Sequence, residues 1–241
     1  MKRRILHKLL ECRAEKQAVA LVTHIASGMQ CLVFADGTTY KSNRRQSEPA
    51  AGIVERARHA LEEQRSAAAE MEDSRYVIRV YLPPARLFVV GAVHIAQALL
   101  PMAALAGFQE HLIDPREAFG ADERFPGIGV IRQWPDQALE ALSLDSSSAV
   151  VTLSHDPKID EPALQVALES SAFYVGALGS RKTHAARLSR LSASGVDADT
   201  MSRIHAPVGL ALGGRDPAEI AVSILAQIIE TRYQSLVVNP V

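Results

Sequence analysis

Only two cysteines, Cys12 and Cys31, stand in the 241 residues. So few cannot make a disulfide framework or a multi-cysteine metal site. Aromatic residues are 5% of the chain, too few to suggest a platform for stacking nucleobases. No charge sign is in excess: 26 Lys+Arg face 27 Asp+Glu, a formal net charge of −1. That balance supplies no basic face for nucleic acid or an anionic membrane surface. Long apolar runs are missing as well. Met1-Lys2-Arg3-Arg4 is positive, as in a leader, but Lys8, Glu11 and Arg13 interrupt any apolar stretch. Nothing approaches about 18 uninterrupted apolar residues, so no membrane span is expected. These absences predict a soluble, cytoplasmic protein. What is present, 48% hydrophobic and 22% charged, is the ordinary composition of a globular chain with a buried core.

Residues 1–82 read as a small α+β domain. Ile5, Leu6, Leu9 and Leu10 recur at helical spacing. Val19 to Thr23 and Cys31 to Phe34 have strand composition, and Asp36-Gly37 after them marks a hairpin turn. Glu48 to Gln64 predicts a helix and Arg75 to Tyr81 a strand. Pro83-Pro84 then breaks regular structure and marks a domain boundary.

From 85 to 241 strands and helices alternate, which predicts right-handed crossovers and a parallel, Rossmann-like α/β sheet. Leu87 to Val90, His111 to Ile113, Ile128 to Ile131, Ala149 to Leu153 and Phe173 to Val175 are the strands. His94 to Ala106, Asp136 to Leu142, Glu161 to Ser170 and Thr183 to Ser194 are the helices, with Gly107 as a C-terminal cap. The last helix opens on Asp216-Pro217-Ala218-Glu219, with Asp216 at the N-cap and Glu219 as the reciprocal acid of a capping box.

Ligands of such sheets bind beyond the carboxyl ends of the strands, so the residues that follow each strand are the candidates. After the first comes Gly91-Ala92-Val93-His94-Ile95-Ala96. Gly91 and Ala96 fit a dinucleotide fingerprint, but β-branched Val93 stands where the middle glycine admits a pyrophosphate. Asp114, 23 residues beyond Gly91 (114 − 91), takes the usual place of a ribose-binding acid. After the fourth strand, Ser154-His155-Asp156-Pro157 brings a His–Asp pair suited to acid–base work or a divalent cation, although no metal ligand set is assigned. Asp156 also fits an Asx-turn, and Asp160 the cap of the following helix.

After the fifth strand comes Gly176-Ala177-Leu178-Gly179-Ser180-Arg181-Lys182-Thr183. Glycines expose amides, the helix end adds a positive dipole and Arg181 can clamp phosphate bidentately; the glycine spacing is not that of a P-loop. His205-Ala206-Pro207-Val208-Gly209 forms the last shaped loop. His94, His155 and His205, three of eight histidines, all fall in these junctions. His111 and Cys31, inside strands, read as core or edge residues.

Taken together, Gly91-Ala92-Val93-His94, Asp114-Pro115-Arg116, Arg124-Phe125-Pro126, Ser154-His155-Asp156, Tyr174 to Arg181, Ile204 to Leu210 and Asp216 to Ile224 resemble the XdhC/CoxI family, accessory factors of xanthine dehydrogenase and carbon monoxide dehydrogenase. The resemblance runs over residues 84–233. It implies a cytoplasmic maturation factor that holds the molybdenum cofactor, as molybdopterin or its dinucleotide form, assists its sulfuration and passes it to an apo molybdenum hydroxylase. A cysteine desulfurase as sulfur donor and a homodimeric assembly belong to the same expectation. The residues assigned to the cofactor are Gly91, His94, Asp114, Arg116, His155, Asp156, Gly176, Gly179, Ser180, Arg181, His205 and Gly209. The chain departs from the family pattern at Val93, at Ala211 where an acid is common, and in lacking a Gly-Gly-Cys segment within residues 1–82. Competing readings are an NAD(P)-dependent oxidoreductase and a protein-docking module with a vestigial nucleotide site.

Overall fold

Periodicity sets the faces on which each element is buried, and the computed structural model shows where those faces meet. It describes residues 1–43, 47–71, 74–117 and 122–234; the tail 235–241, assigned above to the second domain, lies outside them. The described residues divide into two compact units, one within Met1–Pro83 and one that begins at Pro84.

The first unit contains α1 (Arg3–Ala14), β1 (Val19–His24), β2 (Gln30–Val33), β3 (Thr39–Lys41), α2 (Ala51–Glu62), β4 (Ala67–Met71) and β5 (Ser74–Tyr81). Its antiparallel sheet has the order β3-β2-β1-β5-β4. The two-residue period sends Val19 and Leu21 toward Ile5 and Leu9 of α1, and Ala20 and Val22 toward Ile53 and Ala57 of α2. Both faces of β1 are therefore covered, which explains its continuous apolar composition. The Asp36-Gly37 turn closes the β2–β3 hairpin: Gly37 has φ +84° and the Asp36 carboxylate accepts the Thr38 amide at 2.9 Å. Sequence reasoning did not find β3 or the Ala-rich edge strand β4.

The second unit contains β6 (Arg86–Val90), α3 (His94–Leu105), β7 (Gln109–Ile113), β8 (Val130–Ile131), α4 (Pro135–Leu142), β9 (Ser148–Thr152), α5 (Pro157–Glu169), β10 (Tyr174–Ala177), α6 (Arg181–Ala193), α7 (Ala198–Met201), β11 (Ile204–His205) and α8 (Pro217–Gln234). Every strand pair in this sheet is parallel, in the order β11-β10-β9-β6-β7-β8. Counted from the β8 edge by chain order, that is 3-2-1-4-5-6, the arrangement of dinucleotide-binding folds, with its reversal between β6 and β9. Leu87 and Val89 meet Leu99 and Leu100 of α3 and Ile224 and Ile228 of α8 on one side. Phe88 and Val90 meet Leu139 of α4, Leu164 of α5 and Leu191 of α6 on the other. Each such buried aliphatic side chain stabilises by about 1.5–3 kcal/mol, so the layered core holds the strand tips in place.

Two helix starts differ from expectation. Helix α5 begins at Pro157, four residues before the expected Glu161, because Asp156 is its N-cap and accepts the Lys158 amide at 3.0 Å. Asp160 is thus not a cap. It lies in the first turn, 2% exposed. Helix α6 starts at Arg181, capped by Ser180, whose Oγ accepts the Thr183 amide at 3.1 Å. For α8 the capping-box acid is in place: the Glu219 carboxylate accepts the Arg215 and Asp216 amides at 2.9 and 3.2 Å.

Candidate functional site

The reversal between β6 and β9 puts the turn after Val90 beside the loop after Thr152. The contact is close. Gly91 has φ +110°, and a Cβ built on it would lie 2.8 Å from the Ser154 backbone nitrogen. Only glycine meets both demands. Val93 follows as the N-cap of α3 in extended conformation, offers no side-chain cap bond, and packs against the α3–α8 core. His94, the first helical residue, is exposed at this tip.

Asp114, at the end of β7, is fully buried, and its carboxylate is bound within the protein. One oxygen accepts the Ala92 amide at 2.7 Å and Nη2 of Arg116 at 2.8 Å; the other accepts the Arg116 amide and Nε, both at 2.9 Å. Burial alone would raise its pKa, but the bonds from Arg116 and the two amides outweigh it and hold the carboxyl below the ordinary range. Asp114 therefore ties the Gly91 turn to Arg116 and is not placed to meet a ribose. Arg116, 27% exposed, is held charged first by Asp114, and the charges of Asp156 and Asp160 across the β6 tip add to that.

The loop after β9 has its own network. The Asp160 Oδ1 accepts Ser154 Oγ at 2.6 Å and the Ser154 amide at 3.2 Å. Burial pushes its pKa up, with the two Ser154 bonds opposing. His155 is exposed, with φ +63°, a left-handed conformation that non-glycine residues seldom hold. Beyond β10, Gly179 has φ +139° and the Ser180 and Thr183 hydroxyls lie 2.9 Å apart. Arg181 and Lys182 are exposed on the first turn of α6.

The fold thus brings Gly91, Arg116, Ser154, His155, Asp156, Gly179, Ser180 and Arg181 to the carboxyl edge of three neighbouring strands and of β7. Three other candidates serve packing. A Cβ on Gly176 would lie 2.7 Å from Val208 and 2.8 Å from the Tyr174 ring. Gly209, φ +94°, lets the loop lie on α8: its amide bonds Gln227 at 2.8 Å, and a Cβ there would strike Ser223. The His205 ring stacks on Tyr174 at 4.7 Å, on the α8 side of the sheet, and burial lowers its pKa. Among the described residues no hydrogen bond or ring contact joins His94, His155 and His205, and no three His, Cys, Asp or Glu side chains gather as a metal site. Two polar residues at this edge escaped sequence reasoning, Thr152 and Arg187. Both are buried, and their Oγ1 and Nη1 atoms have no hydrogen-bond partner among the described residues. Arg187 lies inside a helix full of cations, so nothing in the sequence sets it apart.

A family model described as the XdhC Rossmann domain matches residues 87–228. The chain is 34% identical over 152 residues to the molybdenum cofactor insertion chaperone PaoD of Escherichia coli (strain K12), covering 63% of this chain and 42% of that protein. It is 32% identical over 157 residues to a probable xanthine dehydrogenase subunit of Bacillus subtilis (strain 168), covering 65% and 46%. The chain thus spans less than half the length of these curated relatives. A crystal structure of a xanthine dehydrogenase from Bacillus halodurans superposes with a TM-score of 0.72 at 22% identity, over 95% of this chain and 64% of that one, and shares its fold. Among the described residues no helix is long and apolar enough to cross a membrane. With this strand order, these tips and the matching family model, the chain belongs to the XdhC family.

Proposed function

We propose that this protein holds the molybdenum cofactor and delivers it to an apo molybdenum hydroxylase of the xanthine dehydrogenase type. The observation that carries the reading is the meeting of the Gly91 turn, the Ser154–His155 loop and the Gly179–Ser180 turn at the carboxyl ends of β6, β9 and β10. Thr152 Oγ1 and Arg187 Nη1, buried without partners among the described residues, and the glycine turns make this edge a fit receptacle for a polar, anionic guest. Arg116 and Arg181 would hold anionic groups by charge-assisted bonds, and His155 would hydrogen-bond pterin or oxo groups. When bound, the cofactor supplies the molybdenum centre that a hydroxylase uses, with its terminal sulfido ligand. A separate cysteine desulfurase would provide that sulfur. Cys12 and Cys31 are both buried, and burial pushes the Cys31 thiol up to about 11, far from the thiolate a sulfur carrier needs.

The relatives' names support the delivery role. An NAD(P)-dependent oxidoreductase is the second reading, favoured by the strand order, but the internal bonding of Asp114 removes its customary ribose contact. The test is the guest retained on purification after expression beside a molybdenum hydroxylase. Pterin fluorescence after oxidation, with molybdenum in similar amount by elemental analysis, is the expected result. Nicotinamide absorbance, or an empty protein that never raises hydroxylase activity, would overturn it.

A further inference from the structure

Arg187 is 3% exposed and only partly satisfied. Its Nη2 donates to the Leu178 carbonyl at 2.8 Å, while Nη1 on the same guanidinium carbon has no partner among the described residues. Ser180, Thr183 and Arg187 follow at steps of three and four and so share one face of α6. Side chains on a helix lean toward its N-terminus, which brings the guanidinium under the Leu178–Gly179 turn. A Cβ on Gly179 would lie 3.1 Å from Thr183 Cγ2 and 3.8 Å from Arg187 Nη2.

A second observation converges on the same turn. Thr152 pairs in register with Ala177, and its carbonyl accepts the Leu178 amide at 2.9 Å. Its side chain lies on the sheet face that α5 and α6 cover, two residues on from Val150 of that core, and its Oγ1 is buried without a partner among the described residues. A cationic donor and a hydroxyl therefore border one glycine turn, ahead of a helix whose first amides have no acceptor within it. Asp160 attracts the Arg187 charge, yet the two form no ion pair among the described residues and Asp160 Oδ1 is committed to Ser154.

We propose that Arg187 is the buried cation of a phosphate subsite made by the Leu178–Thr183 turn, the amides at the start of α6 and Thr152. Arg187 Nη1 donates a charge-assisted bond to a phosphate oxygen, Thr152 Oγ adds a neutral one, and the amides of Arg181 and Lys182 supply the helix-end contacts. A guanidinium is the group suited to a desolvated phosphate, being always charged and weakly hydrated. That the guest is the phosphate of a pterin cofactor rests on the function proposed above; the phosphate chemistry does not.

The test uses the full chain and titrates inorganic pyrophosphate at constant ionic strength by calorimetry, with inorganic phosphate as a second probe. Arg187→Met is expected to weaken pyrophosphate binding at least tenfold, and Arg187→Lys to restore part of it. Pyrophosphate binding to a folded Arg187→Met chain as to the original, or no binding to the original chain, would overturn the proposal. Should Arg187→Met not fold, arginine side-chain NMR of the unaltered protein decides. The Arg187 guanidinium resonances, assigned through its own backbone, are expected to shift on titration, and their standing still while another arginine moves would overturn the subsite. Cofactor retained equally by the original and Arg187→Met chains would remove the subsite and leave the delivery role. Pyrophosphate bound through Arg187 by a chain that never retains cofactor would do the reverse.

Discussion

The backbone nitrogen of Ser154 occupies the space a side chain on Gly91 would need: a Cβ there would come within 2.8 Å of it. The two residues are 63 positions apart (154 − 91), and the strand reversal is what makes them neighbours. Gly91→Ala is therefore expected to cost about 1–3 kcal/mol from backbone conformation alone, with a further loss as Ser154 is displaced from Asp160. Urea denaturation of the two chains measures the difference, and an unchanged midpoint would show that the turn gives way freely.

Asp114 joins the Gly91 turn to Arg116. Asp114→Asn keeps the shape but offers the guanidinium a weaker acceptor, and it is expected to cost about 1.5–3 kcal/mol. The pH dependence has a defined sign. The folded carboxyl is held below its ordinary 3.8, so its contribution is present above that value and is lost as pH falls through the lowered one. The acid limb of the stability profile should flatten in Asp114→Asn; parallel limbs would refute the assignment.

Asp160 has the opposite sign. Burial raises its pKa above the ordinary 3.8, so the stability of the protonated form is complete below that value and lost as pH rises through the raised one. Asp160→Asn preserves an acceptor for Ser154 and carries no charge. Relative to the original chain it is expected to gain stability as pH rises from about 4 toward neutral, read from denaturation midpoints across that range. A constant difference would contradict this.

Arg86 stands at the opposite end of β6 from the site. It is 4% exposed and binds the Leu142 and Ser143 carbonyls at 2.8 and 2.7 Å, Ser148 Oγ at 2.9 Å and the Asp145 carboxylate at 2.8 Å. Arg86→Met is expected to cost about 3–5 kcal/mol, as when one partner of a buried pair is removed. Pyrophosphate affinity at low temperature should stay within twofold, because the change lies at the far edge of the sheet. A large affinity loss in a folded variant would show coupling along β6.

Much of the parallel sheet could be read from local pattern. The apolar runs at Leu87–Val90 and Ala149–Leu153 have the composition of strands covered on both faces, and β6 and β9 are buried throughout. β3 and β11 were not legible because three or two residues give no period, and β4 because Ala67-Ala68-Ala69 favours no strand. The tips were legible as glycine-bearing junctions, but the role of each glycine was not. Gly176 is required by Val208 as well as by nearby Tyr174, and Gly209 by Ser223; Val208 and Ser223 reach these glycines only in the folded chain. Asp114 and Arg187 show the same limit in charge. A carboxylate two residues from an arginine can face outward or bind it, and a guanidinium in a polar helix can be solvated or enclosed. Tertiary packing decides both.

The sheet's two halves, β6-β7-β8 and β9-β10-β11, meet along the single β6–β9 seam. Any guest gripped at once by groups following β7 and groups following β10 would span that seam like a clasp. Its grip would add to the free energy of unfolding in proportion to the logarithm of its concentration over its Kd. Loading would then tighten the protein and unloading would relax it, so surrendering the guest would make the carrier itself easier to unfold.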